Sequence, residues 1–196
     1  MNRKIVHGVG VNDSVTHVYQ CEGGRQLWKC QYYSTWQGML KRCYSTANHR
    51  RQPTYVGCSV TTEWLMFSVF REWMQSQPWE GNHLDKDILF PGNRVYSSET
   101  CVFVPPELNK FFGDKTKIRG NFPTGVSWDK KAGKIRATCS NPFICKREFL
   151  GYFEDPASAH EAWRARKHQH ALRYADMQTD QRIATALRTK FSTGAP

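Results

Sequence analysis

The chain has 196 residues, of which 39% are hydrophobic and 13% aromatic, which supports a packed core and argues against a chain that is disordered throughout. Its net charge of +11 makes an anionic partner, nucleic acid before a membrane surface, the first expectation. No apolar stretch approaches the roughly 20 residues of a membrane helix. Residues 1–10 also lack the apolar segment of a signal peptide. We therefore expect neither a membrane protein nor a secreted one.

The positive charge is concentrated in the C-terminal part of the sequence. Residues 1–113 contain 12 basic and 9 acidic residues, a net charge of +3, whereas residues 114–196 contain 16 and 8, a net charge of +8. A solvated surface alone would also produce an excess of charge, but the asymmetry favours a surface that binds an anion. The C-terminal part is therefore the predicted site of nucleic-acid binding.

The seven cysteines do not form the pattern of a structural metal site. No Cys-x-x-Cys occurs, whereas structural zinc sites usually show such short paired spacings. Cys43 and Cys101 lie at apolar positions of the sequence pattern and are predicted to be small core residues. The cysteine usage indicates a reduced, cytoplasmic protein.

Two helices are predicted after a first stretch of about thirty residues that gives no clear element. Ser34 is the predicted cap of the first helix, whose apolar residues recur at helical spacing. They are Trp36, Met39, Leu40, Cys43 and Tyr44. Residues 48–53 are polar and basic, which predicts a loop. The second helix follows Thr61 and Thr62, is apolar on nearly every side from residue 64 to 74, and is expected at the centre of the core.

A strand, a turn, a strand and a short helix follow within about 30 residues. Residues 84–90 and 101–104 predict strands, and the Pro-Gly-Asn at 91–93 predicts a turn. Pro106 suits the first position of a helix over residues 107–112, which Gly113 ends. This order predicts a ββα unit.

Beyond a predicted linker at residues 114–120, the pattern indicates three strands and a helix. The first strand is predicted to start at residue 125 and is followed by a turn at 130–133. The second and third strands are predicted at residues 135–139 and 147–153. Asp155 is the predicted cap of a helix that begins at Pro156 and reaches about Tyr174. Residues 192–196 are expected to fray. The predicted fold class is α+β, with an N-terminal domain at 1–113 and a C-terminal domain at 121–196.

The C-terminal pattern resembles the AP2 DNA-binding domain. Four motifs carry the resemblance: Gly-Val-Ser-Trp at 125–128, Gly-Lys-Ile-Arg-Ala at 133–137, Leu-Gly-Tyr-Phe at 150–153 and Ser-Ala-His-Glu-Ala-Trp at 158–163. The resemblance implies that a three-stranded antiparallel sheet lies in the major groove of double-stranded DNA while one helix packs behind it.

The strands of this unit supply candidate DNA-binding residues. These are Trp128, Lys130, Lys134, Arg136 and Arg147. Arginine can pair bidentately with guanine, and lysine can contact phosphate. Basic residues also suit the solvated face of any two-sided sheet, but the tryptophan on the same unit favours a surface that faces a ligand.

The N-terminal part resembles phage-encoded HNH-type endonucleases, a group that includes homing endonucleases with a trailing AP2 domain. The motifs are Trp36-x-x-Met39-x-x-x-Cys43-Tyr44, Trp64-x-x-Phe67-x-x-Phe70, Leu84-Asp85-Lys86-Asp87, Gly92-Asn93 and Tyr-Ser-Ser-Glu-Thr-Cys at 96–101. In that family a ββα unit holds one divalent metal against the scissile phosphate. A histidine next to the first ligand activates water, and a middle asparagine fixes the loop between the strands.

Carried onto this sequence, the resemblance is partial. Asp85 matches the acidic metal ligand and Asn93 the middle asparagine. Lys86 stands where the general-base histidine is expected, and Thr100 stands where a second ligand is expected. Lys86 would act as a base only with a strongly lowered pKa, or would instead position a phosphate.

A second set of catalytic candidates surrounds Asp85. On one strand, His83, Asp85 and Asp87 would share a face. The two carboxylates would bind Mg²⁺, the expected cofactor, and His83 would supply the base. The alternative is that His83 is an exposed loop residue and that Asp87 caps a turn.

The leading hypothesis is thus a metal-dependent DNA endonuclease of phage type, with a homing role, that hydrolyses phosphodiester bonds in the cytoplasm of an infected bacterial host. The first alternative is a DNA-binding or regulatory protein whose HNH-like unit has lost catalysis. A third hypothesis is an interaction protein whose basic surface binds a host protein or RNA.

Overall fold

The protein is α+β and divides into two compact units, Met1–Asn109 and Lys110–Pro196. The structure, a computed structural model, describes residues 4–113 and 122–192. The predicted linker at 114–120 and residues 193–196 of the predicted tail lie outside these ranges. Within them, none of the helices is long and apolar enough to cross a membrane.

The N-terminal unit opens with two antiparallel hairpins in the stretch where no element was predicted. The first pairs β1 (Lys4–Val6) with β2 (Gly10–Asn12), and the second pairs β3 (Tyr19–Glu22) with β4 (Arg25–Lys29). All residues of β3 are exposed, and so are those of β4 except Lys29, which is half-buried. The period-two alternation that marks a half-buried strand is therefore missing from them.

The first predicted helix is confirmed as α1 (Gln31–Tyr44), but it begins before Ser34. Ser34 is therefore not the cap: its hydroxyl lies inside the helix and donates to the carbonyl of Cys30 at 3.0 Å. Trp36, Met39, Leu40 and Cys43 are buried as predicted.

The loop predicted at 48–53 is wrong for most of its length, because α2 (Thr46–Arg51) occupies it. The hydroxyl of Ser45 accepts a hydrogen bond from the Asn48 N–H at 3.3 Å, so this helix has a side-chain cap despite its polar sequence. A polar helix shows no apolar period, which is why the sequence pattern favoured a loop.

The second predicted helix begins later than expected, as α3 (Phe67–Gln75) after a 3-10 turn at Glu63–Leu65. Phe67, Phe70 and Met74 are buried in the core of the unit, as predicted for a central helix. The core also contains a short parallel pair, β5 (Ser59–Val60) with β7 (Val95–Tyr96).

The strand, strand and helix order predicted next is present, with a shorter first strand. β6 (His83–Asp85) pairs antiparallel with β8 (Val102–Val104), and α4 (Pro106–Phe112) follows with Pro106 as its first residue. The predicted strand at 84–90 ends at Asp85 because the carboxylate of Asp85 accepts hydrogen bonds from the backbone of its successors, which turns the chain into a loop.

The C-terminal unit contains the three predicted strands in the order β9 (Val126–Asp129), β10 (Lys134–Asn141) and β11 (Lys146–Phe153), all antiparallel. The predicted helix is α5 (Pro156–Asp176), and Asp155 caps it by accepting from the N–H groups of Ala157 and Ser158. This helix covers one face of the sheet, where Ala137, Cys139 and Ala159 are buried.

A last helix, α6 (Gln181–Lys190), was not predicted. Asp180 caps it, and Ile183 and Leu187 are buried where it packs on α5. The compact unit begins at Lys110 rather than after Gly113, because the ring of Phe111 packs edge-on against Tyr174 and Phe191.

Candidate nucleic-acid interface

The two faces of the three-stranded sheet differ in their side chains. Along β10, Ile135, Ala137, Cys139 and Asn141 alternate with Lys134, Arg136, Thr138 and Ser140. The first set lies on the face that α5 covers, and its members are buried or half-buried. The second set therefore lies on the opposite face, which we call the outer face.

Strand register identifies the neighbours on the outer face. Arg136 lies opposite Ser127 of β9 and Tyr152 of β11, and Ser140 lies opposite Arg147. Thr138 lies opposite Phe149, which is 59% exposed. The cations of this face are Lys134, Arg136 and Arg147.

Two exposed aromatic rings lie among these cations. Tyr152 is 44% exposed, and its ring centroid lies 5.1 Å from that of Phe149 in an edge-on arrangement. The ammonium of Lys134 lies 6.0 Å from the centre of the Tyr152 ring. Neither ring was among the candidates from the sequence, although both belong to β11 residues that alternate with half-buried ones. Aromatic and cationic groups together suit the bases and phosphates of a nucleic acid.

Trp128 lies on the other face. Its register partner is Ile135, so it points to the side of the sheet that α5 packs on, and half of its surface remains exposed. Trp128, one of the predicted DNA-binding residues, therefore lies on the face opposite that of Arg136, which pairs with Ser127. Lys130 is exposed in the turn between β9 and β10.

A carboxylate holds Arg136 in place on the outer face. The Asp129 Oδ2 accepts a hydrogen bond from Nη1 of Arg136 at 3.2 Å and another from the Tyr152 hydroxyl at 3.2 Å. The other oxygen, Oδ1, accepts from the N–H groups of Lys131 and Ala132 in the β9–β10 turn. These bonds, above all that from the N–H of Ala132, lower the pKa of Asp129.

The covered face contains a polar cluster around Glu148. Arg166 of α5 donates to both oxygens of Glu148 at 2.7 and 2.8 Å, and Asn141 donates to one of them at 2.8 Å. The buried ring of His170 lies 3.1 Å from the same carboxylate. The Arg166 hydrogen bonds, followed by that from Asn141, lower the pKa of Glu148 to about 2. This cluster joins β11 to α5 and is structural rather than ligand-facing.

The Glu148 cluster predicts loss of stability in acid. The pKa of Glu148 is 4.5 in its ordinary state and about 2 in the folded unit. At a pH between these two values, Glu148 binds a proton in the unfolded chain but not in the folded unit. The free energy of unfolding should therefore fall as the pH is lowered through this window. Urea denaturation at a series of pH values would measure it. Glu148→Gln should be less stable at pH 7 and should show a shallower slope below pH 4.5; an unchanged slope would contradict the prediction.

The loop between β6 and β7 is organised around a buried lysine. Lys86 is only 5% exposed, and its Nζ donates to Asp87 Oδ1 at 2.7 Å and to the Asn93 carbonyl at 2.5 Å. In return, the amide of Asn93 donates to the carbonyls of Lys86 and Val95 at 2.9 and 2.7 Å. Asn93 thus bridges the loop, and the nitrogen of Lys86 is hydrogen-bonded to two acceptors within it.

Asp85, at the end of β6, and Thr100, between β7 and β8, are also hydrogen-bonded within the protein. Asp85 Oδ1 accepts from the N–H groups of Asp87 and Ile88 at 2.7 and 2.9 Å. Thr100 donates to the Val95 carbonyl at 2.8 Å, and its oxygen lies 3.2 Å from the N–H of Ser97. Asp87 follows the end of β6, so it does not continue the strand face of His83 and Asp85.

His83 and Asp85 do share a face of β6. Leu84 between them packs against the core, so its two neighbours point away from it. His83 is exposed, and Asp85 is half-buried. In the described ranges 4–113 and 122–192, no three His, Cys, Asp or Glu side chains converge in the manner of metal ligands.

No family model matches the sequence, and no curated protein or solved structure matches it significantly. The function is therefore inferred from the chemistry of the outer face and of the loop between β6 and β7.

Proposed function

We propose that the protein binds double-stranded DNA through the outer face of its three-stranded sheet. The observation that carries the proposal is the composition of that face: Lys134, Arg136 and Arg147 surround two exposed aromatic rings, while α5 covers the opposite side. The net charge of +8 in residues 114–196 supports the same partner. The AP2-like motifs support it as well, since they imply a sheet that reads the major groove.

The proposal predicts binding that depends strongly on salt and on Arg147. Each phosphate that the protein neutralises contributes a slope of about −0.9 in log affinity against log salt. Arg147→Ala should weaken binding of duplex DNA by about tenfold, because an exposed arginine of the outer face contacts a base or a phosphate. Fluorescence anisotropy of the full chain with labelled duplex DNA would measure both effects.

Arg188→Ala is the matched control, since it removes the same charge from α6, where Arg188 pairs with Asp176 at 3.0 Å. It should change the affinity by less than about twofold, because dissolved salt screens the attraction between DNA phosphates and an exposed charge that does not contact them. Equal losses for the two variants would argue against the outer face. A full chain that binds no duplex DNA at low salt would overturn the proposal.

Cleavage of the bound DNA is our second proposal, which corresponds to a phage-type homing endonuclease. The observation that favours it is the ββα order of β6, β8 and α4, with His83 and Asp85 on one face of β6. A histidine at this place can act as a general base that takes a proton from the attacking water, and a carboxylate on the same face can stabilise the imidazolium that forms.

The predicted ligands do not fit a Mg²⁺ ion in their present arrangement. Asp87 pairs with the ammonium of Lys86, Thr100 hydrogen-bonds to the backbone, and Asp85 Oδ1 accepts two N–H groups. A buried ammonium beside the site also opposes a second cation by like-charge repulsion. These contacts favour the alternative of a DNA-binding protein with a degenerate HNH-like unit over cleavage, and Asp85 variants decide between the two.

A further inference from the structure

We propose that Asp129 is a positioning residue for base recognition by Arg136, so that an acidic side chain on the DNA-binding face increases sequence discrimination. The inference rests on the proposed function, since it concerns how the outer face reads DNA. Arg136 is the residue that contacts the base, and Asp129 acts through it.

The geometry of Asp129 is that of a clamp across three strands. The residue ends β9, its Oδ2 accepts from Arg136 of β10, and the same oxygen accepts from Tyr152 of β11. Its side chain is only 16% exposed, and its Oδ1 is occupied by the N–H groups of the β9–β10 turn. Both oxygens are therefore held, and the carboxylate is a fixed support for the guanidinium.

Arg136 retains donors for a ligand while it is held. Nη1 donates to Asp129 at 3.2 Å, and Nη2 lies 3.5 Å from the Ser127 hydroxyl, a weak contact. Its Nε is buried and has no partner among the described residues. With 37% of the side chain exposed, the outward N–H bonds of the two Nη atoms are free to meet the O6 and N7 acceptors of a guanine.

A carboxylate on a DNA-binding face has two opposing effects, and this opposition makes the role testable. Its charge repels phosphates of any sequence, so its removal should strengthen non-specific binding. Its hydrogen bonds hold the arginine in one orientation, so its removal should weaken discrimination between bases. A general electrostatic role and a positioning role thus predict opposite outcomes for specific binding.

The test is Asp129→Asn in the full chain. Asparagine retains Oδ1, which accepts from Lys131 and Ala132, and loses the charged oxygen that accepts from Arg136 and Tyr152. The preferred site would be selected from a random duplex library with the wild-type protein. The ratio of dissociation constants would then be measured for that site and for versions with single guanine-to-adenine changes.

We expect Asp129→Asn to reduce the discrimination at one guanine by about tenfold, equivalent to about 1.4 kcal/mol, while affinity for unrelated duplex DNA stays equal or rises. Glu154→Gln, which removes a charge from an exposed residue before α5, should leave the discrimination unchanged. Tyr152→Phe removes only the hydroxyl that donates to Asp129 and should have an effect smaller than that of Asp129→Asn.

A double-mutant cycle separates positioning from a general loss of structure. In an Arg136→Ala background, Asp129→Asn should reduce discrimination no further, because the group it positions is gone. A further loss in that background, or unchanged discrimination in Asp129→Asn alone, would overturn the inference while leaving DNA binding intact. A wild-type protein that binds no duplex DNA would instead overturn the proposed function, and the inference with it.

Discussion

Replacement of Gly125 by alanine is expected to destabilise the C-terminal unit by about 3 kcal/mol, through backbone strain and overpacking. Gly125 has a φ of +82°, a conformation that L side chains rarely adopt. A Cβ at this position would also overlap Cγ and Cδ1 of Trp163. The two costs are independent, so we expect them to add.

Trp163 cannot move aside easily. Its ring stacks on His160 with an interplanar angle of 16° and meets Phe191 edge-on. His160 in turn lies 2.8 Å from the carbonyl of Thr124, the residue before Gly125. The carbonyl of Gly125 accepts from the N–H of Thr138 at 2.8 Å, so a shift of the glycine backbone would disturb β10 instead.

Gly133→Ala is the matched control. Gly133 has a similar φ of +62°, but no atom lies within 4 Å of the position of an added Cβ. It should pay the backbone cost alone, about 1–2 kcal/mol. Hydrogen exchange of residues 122–192 measured by mass spectrometry would localise the effect, and thermal unfolding should show a decrease of about 4–8 °C for each kcal/mol. Equal stability of the two variants would contradict the clash with Trp163.

The regular amphipathic elements were predictable because burial imposes a period on them. Trp36, Met39, Leu40 and Cys43 recur at helical spacing, and all four are buried in α1. The strands of the C-terminal unit were also placed within a residue or two of their positions. In α6 the cap Asp180 precedes Ile183 and Leu187 at helical spacing, so the sequence also contains the signal for this helix.

The site was less predictable, because its geometry depends on side-chain hydrogen bonds and on register. The end of β6 is determined by one carboxylate oxygen of Asp85, which binds two N–H groups beyond it. The face occupied by Trp128 follows from its pairing with Ile135, and a shift of one residue would have reversed it. The role of Asp129 requires three strands to meet, which no local pattern encodes.

Asp85 variants are expected to separate the structural role of this residue from catalysis. Asp85→Ala removes the acceptor for the N–H groups of Asp87 and Ile88, and should lower the stability of the N-terminal unit by about 1–3 kcal/mol. Asp85→Asn keeps an acceptor oxygen in the same place and should be nearly as stable as the wild type. Urea denaturation of both variants would measure the difference.

Cleavage of DNA should depend on the ionised carboxylate of Asp85, and not only on its hydrogen bonds to the loop that follows β6. If the ββα unit hydrolyses phosphodiesters, Asp85→Asn should abolish nicking of supercoiled plasmid, because a neutral amide on the same face of β6 cannot stabilise the protonated form of His83. His83→Ala should reduce the rate by about 10²–10⁴-fold, the usual contribution of a general base. Both variants should bind DNA like the wild type, since the cations of the outer face belong to the C-terminal unit.

Lys86→Met then tests why a buried ammonium occupies the place of the catalytic histidine. Methionine fills a similar volume but cannot donate to Asp87 or to the Asn93 carbonyl, so the loop should lose stability. If the cleavage rate of Lys86→Met falls no more than its loss of folded protein explains, Lys86 only holds the loop and His83 is the base. Full cleavage by Asp85→Asn would overturn the nuclease proposal at this site. A wild-type protein that binds its selected DNA site and leaves it intact with every divalent metal tested would establish DNA binding as the function without cleavage. The hydrogen bonds of Asp85, Lys86 and Asn93 would then be explained by their role in holding the loop.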